Sequence, residues 1–197
     1  MVRNYGVLDS LLLQAGSSFF QPAQNLPQRV GFDDPAESVM TDLKQVSAVI
    51  IRSDDAIDEA NRRMIQRGVR MLLVVDENRT VTGIITATDI LGEKPMQVLT
   101  GRGGRREDVL VRDIMTPQHR LEVLRMNDVR GAKVGHVVAT LKKSGRQHAV
   151  AVEIDRDGRQ TVRGLFSATQ IARQLGVAIQ TSEVARTFSE IETLLAR

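Results

Sequence analysis

Gly83, Thr86 and Asp89 place a hydroxyl and a carboxylate three residues apart behind a glycine. At the start of a helix this pair can do two things. A carboxylate there accepts charge-assisted hydrogen bonds, roughly twice as strong as neutral ones. A Thr hydroxyl beside it reaches an anion that the helix N-terminus already favours. The same two residues also form an ordinary capping pair. Spacing alone leaves both readings open.

Other reactive chemistry is scarce. There is no Cys, which removes disulfides, thiolate nucleophiles and thiolate metal sites. His119, His136 and His148 are scattered without metal-ligand spacing. Acidic residues are plentiful, yet none forms a recognisable catalytic pair or triad. The expectation is no enzyme, no metal and no required cofactor. The stretch from Thr100 to Arg106 is basic and Gly-rich, but no Walker-type Lys-Ser/Thr follows it. It reads as a flexible linker.

Composition narrows the partners. Hydrophobic residues make up 42%, enough for a core, while aromatics are only 3% with no Trp. A stacking platform for bases is nearly ruled out, so nucleic acid is not the expected partner. The net charge is +3, yet Gly101 to Arg163 holds 14 Lys/Arg against 8 Asp/Glu. That local excess suits an anionic partner. No apolar run approaches the ~18 residues needed to span a bilayer. The first residues lack the pattern of a signal peptide. A soluble, cytoplasmic protein without membrane contact is expected.

The elements that must position Thr86 and Asp89 occur twice. Met40-Thr41 is matched by Met115-Thr116, Gly68 by Gly145, and Gly83-Ile-Ile-Thr-Ala-Thr-Asp89 by Gly164-Leu-Phe-Ser-Ala-Thr-Gln170. Ala48 to Ile51 reads as a strand, with Asp54 or Asp55 as a helix cap. Ile57, Ala60, Met64 and Ile65 recur at helical spacing, and Gly68 ends that helix. Met71 to Val75 is a continuous apolar strand. Val81 to Thr86 returns as its hairpin partner, and Thr86 or Thr88 caps a second helix near Asp89. In the second copy, Val134, Val137, Val138 and Leu141 form the helix stripe. His148 to Ile154 and Thr161 to Phe166 form the hairpin. The Gly-to-Gly spacing grows from 15 to 19 residues, an insertion expected in the turn Asp155 to Gly158 and its surroundings.

Taken together, twice and in order, these segments over 38–176 resemble CBS (cystathionine-β-synthase-type) domains. The resemblance implies an α+β fold, with two β-α-β-β-α repeats packed as a pseudo-twofold pair. The expected organisation is an N-terminal arm (1–37), domain one (38–100), a linker (101–108), domain two (109–176) and a C-terminal helix (177–197). That helix would carry Val184, Phe188, Ile191 and Leu195 on one face.

Such modules commonly bind AMP, ADP, ATP or S-adenosylmethionine, dimerise, and regulate a partner protein. By this resemblance Thr86 and Asp89 hold the ribose. Arg70, Met71 and Leu72 lie against the adenine with Asp55 and Ala60, and Arg146 and His148 meet the phosphates. In copy two Ser167 and Gln170 replace the Thr and Asp. Gln offers one uncharged acceptor oxygen, so the second site is expected to be weaker. The alternative is a module that binds a protein or nucleic acid without any nucleotide.

Overall fold

The computed structural model describes Gln14 and residues 24–176. Most of the N-terminal arm and the whole C-terminal helix lie outside the described residues.

In chain order the elements are β1 (Met40–Asp42), β2 (Ile50–Arg52), α1 (Ile57–Arg67), β3 (Met71–Val75), β4 (Val81–Thr86) and α2 (Ala87–Leu91). Then come α3 (Lys94–Arg102), α4 (Val111–Ile114), β5 (Thr116–Pro117), β6 (Val123–Arg125) and α5 (Met126–Arg130). The chain continues through α6 (Val134–Ser144), β7 (His148–Ile154), β8 (Gln160–Ser167) and α7 (Ala168–Gln174). They build an α+β fold with two four-stranded sheets, ordered β2-β3-β4-β5 and β1-β8-β7-β6.

The two halves exchange their opening strands. β1 precedes the first half in sequence but pairs antiparallel with β8, aligning Met40 with Phe166. β5 opens the second half but pairs with β4, aligning Gly83 with Pro117. Boundaries drawn along the sequence, 38–100 and 109–176, therefore do not coincide with sheet membership. The motif glycines make the exchange possible. A Cβ on Gly83 would collide with the backbone carbonyl of Thr116, and one on Gly164 with the Met40 side chain. β1 is further held by the buried Asp42, which pairs with Arg163 on β8.

Helices cover the outer face of each sheet because their apolar stripes need burial. In α1 the buried residues are Ile57, Ala60 and Met64. Ile65, expected on that stripe, is 72% exposed. It directly follows Met64, and that 100° step turns it toward solvent. Nor does Asp54 or Asp55 cap α1: the cap is Ala56, without a side-chain bond. The Asp55 carboxylate instead accepts from the Arg52 amide at 3.1 Å. The α6 stripe is buried at all four expected positions. Gly68 and Gly145 both close their helices at φ 63°, a left-handed conformation that suits glycine.

The four inserted residues are not in the turn. Asp76 and Asp155 bond across identical turns, to Thr80 and Arg159 respectively. The second hairpin instead has two extra cross-strand pairs, Glu153 with Thr161 and Ile154 with Gln160. Between the sheets lies an apolar layer that includes Met71, Leu73, Ile84, Val150 and Val152.

Candidate ligand clefts

Two clefts of similar size flank the junction between the halves. The first, of about 190 Å³, is lined by Thr86, Thr88 and Asp89 from the first half, by Thr116 and Leu121, and by Arg146, Gln147 and His148 from the second. The second, of about 170 Å³, is its counterpart, lined among others by Arg70, Met71, His148, Ser167, Gln170 and Arg173. Strand exchange builds both: β5 supplies Thr116 to one and β1 supplies Thr41 to the other.

Asp89 is held from two sides. Thr86 donates to its Oδ2 from both the backbone amide (2.8 Å) and the hydroxyl (2.7 Å). The Asp89 amide donates back to Thr86 Oγ1 at 3.3 Å. This is a full capping box. Lys94, from the next helix, donates to Asp89 Oδ1 at 2.5 Å and to the Ile114 carbonyl at 3.0 Å. Asp89 is only 8% exposed. With about four lone-pair sites and three donors in place, one acceptor position is left for a ligand.

His148 belongs to both clefts. Burial pushes its imidazole down to about 4, helped by the Arg70 cation and opposed by Asp89. The ring is therefore neutral near pH 7. Its Nδ1 is buried and has no hydrogen-bond partner among the described residues. A buried polar atom without a partner costs about 1–3 kcal/mol, a cost that a ligand group reaching Nδ1 would relieve. Arg146 is tethered only weakly, its guanidinium 3.5 Å from the exposed Glu122.

The expected binding residues thus separate into three groups. Thr86, Asp89, Arg146 and His148 come together in the first cleft. Arg70 and Met71, expected beside Asp89, line the second cleft with Ser167 and Gln170. Ala60 and Leu72 are fully buried in the core of the first half, and Asp55 serves the β2–α1 turn. These three line neither cleft.

The reason is register. β3 is apolar on both faces, so Leu72 points into the helix layer while Met71 faces the other sheet. Sequence reasoning missed Lys94, five residues beyond Asp89 across a helix break, and Thr116 and Leu121, whose placement depends on the exchange. The second cleft has no equivalent of the capping box among the described residues: Ser167 makes no side-chain cap bond, and the Gln170 side chain donates to Gln174 at 3.4 Å.

Comparison with known proteins agrees with this architecture. The family model of the CBS domain matches residues 36–95. An uncharacterized protein of Methanopyrus kandleri is 33% identical over 67 residues, 34% of this chain and 34% of that protein. The match thus spans about a third of the curated relative. Among solved structures, an uncharacterized conserved protein from Pyrococcus horikoshii aligns with a TM-score of 0.54 at 19% identity, covering 78% of this chain and 100% of that one. CBSX2, a CBS-pair protein from Arabidopsis thaliana, solved in complex with AMP, aligns at 17% identity and a TM-score of 0.48, covering 71% of this chain and 94% of that one.

The first half matches the CBS model, and the second repeats its strand-helix-hairpin-helix order around an equivalent cleft. Residues 36–95 are thus similar to the CBS domain, and the fold as a whole is similar to that of the Pyrococcus horikoshii protein.

Proposed function

We propose that this protein is a regulatory module that binds an adenosyl compound in the first cleft and transmits its occupancy to a partner protein. The observation that carries this reading is the convergence of Thr86 and Asp89 with Arg146 and His148 across the two halves. An acidic acceptor with one position left for a ribose hydroxyl faces a cation suited to phosphate. The cleft, about 190 Å³, is smaller than the roughly 300 Å³ at the low end for small-molecule sites. A nucleoside phosphate would therefore widen it, moving one half against the other. That displacement is the signal, a ligand-driven shift between two orientations.

Calorimetry and thermal melts with AMP, ADP, ATP and S-adenosylmethionine test the proposal on the wild type and Asp89→Ala. A ligand at 100 times its Kd stabilises by roughly 2.7 kcal/mol, and Asp89→Ala removes that gain. If none of the four responds at millimolar concentration, the adenosyl reading fails. Binding that survives the substitution unchanged places the site elsewhere. A second reading is favoured by one contact. Lys94 already neutralises Asp89, which suits a module that works without nucleotide, through a macromolecular partner.

The same reading includes a homodimer. Ile65, Leu91 and Met96 are 72%, 70% and 63% exposed on neighbouring helices α1, α2 and α3. Burial of these side chains against a second copy would recover about 25 cal/mol per Å² of apolar surface. Sedimentation of Leu91→Glu should show a shift from dimer to monomer. Among the described residues no helix is long and apolar enough to cross a membrane.

A further inference from the structure

The largest of these three cavities lies at the hairpin-turn end of the two sheets and shares only Leu121 with the first cleft. It measures about 780 Å³, within the range of small-molecule sites. Its floor is apolar: Leu73 and Val81 from one sheet, Val150, Val152 and Val162 from the other, with Leu121 between them. The longer second hairpin makes it a pocket. Its extra rungs carry Gln160 and Thr161 past the end of the first hairpin, and both residues line the wall.

Among the described residues, Arg79 is the only Lys or Arg in that lining, and none there is acidic. It sits at φ 62°, while the matching place in the second turn is Gly158 at φ 78°. A non-glycine residue in this region is strained. Among the described residues the Arg79 guanidinium has no hydrogen-bond or ion-pair partner. The first turn thus carries an unpaired cation at a backbone position for which the second turn uses glycine.

We propose that this inter-sheet cavity binds a small amphipathic carboxylate, with its apolar body between the sheets and its carboxylate on Arg79. The apolar walls give affinity by removing hydrocarbon from water. Arg79 selects an anion through a charge-assisted hydrogen bond. The site is separate from the adenosyl clefts and does not depend on them.

Titration calorimetry of the full chain with octanoate, and with octanol as the uncharged probe of equal length, tests this. One saturable site for octanoate is expected. Arg79→Gly, which suits the backbone, should weaken octanoate about tenfold or more and leave octanol unchanged. Val162→Phe fills the cavity and Gln160→Trp blocks its mouth. Each should abolish binding of both probes, and the exposed Gln160 position guards against a folding defect. Asp89→Ala should leave octanoate binding intact. No saturable uptake at millimolar concentration overturns the proposal. So does equal weakening of both probes by Arg79→Gly, or binding that survives both blocking substitutions.

Discussion

At pH 7 the His148 imidazole is neutral, because burial and the neighbouring Arg70 outweigh the pull of Asp89. In the unfolded chain it titrates near 6.5, and in the folded protein near 4. Between those values the unfolded state binds more protons. The contribution of His148 to stability is therefore complete above pH 6.5 and is lost as pH falls toward 4, by up to roughly 3 kcal/mol. Urea unfolding midpoints measured from pH 7.5 to about 4.5 should fall in the wild type and fall less in His148→Gln. Equal slopes would refute the assignment. The capping bonds of Thr86 and Asp89 also belong to this scale. The capping bonds are made, so the bland reading of the motif is true of this molecule. A ligand role must use the acceptor position that remains beside Lys94.

The strands and their turns carry a different lesson. Gly83 and Gly164 look like two instances of one motif letter, yet their surroundings differ. A methyl at Gly83 meets the backbone of β5, which moves only if the strand moves. A methyl at Gly164 meets the Met40 side chain at Sδ and Cγ, a flexible neighbour although a buried one. Gly83→Ala should therefore cost more than Gly164→Ala, with the former in the range of about 1–3 kcal/mol seen for overpacking. Chemical denaturation of both variants decides this, and a reversed order would contradict the strand-exchange packing. The hairpins were legible as hairpins from apolar runs bounded by Asp-rich turns. The insertion was legible as a lengthened hairpin around Asp155 to Gly158, but not its division between turn and rungs. A two-rung extension and a longer turn give the same residue count, and only cross-strand pairing separates them.

For the whole molecule, exchange of β1 and β5 means that neither half owns a complete sheet. Residues 24–100 lack β5, and 101–176 lack β1. Cut between the halves, each fragment would expose an unpaired strand edge and the apolar layer that faces the other sheet. Either fragment alone should show poor amide dispersion by NMR, and mixing the two should restore the dispersion of the intact chain. Independently folded fragments would show the exchange to be dispensable.

The sequence by itself determined the repeat, the hairpins, the two helix-ending glycines and the pair Thr86–Asp89. Each of these rests on local chemistry: periodicity of burial, positive φ, or a cap three residues from its acid. Only the tertiary structure decided which residues share a cleft. It put Arg70 and Met71 with Ser167 and Gln170, buried Ala60 and Leu72 in the core, and brought Lys94 onto Asp89. Those outcomes depend on which strand crosses to which sheet and on which face of a doubly buried strand a side chain falls. A strand apolar on both faces carries no sign of that choice, because its period-2 pattern is erased by burial on each side.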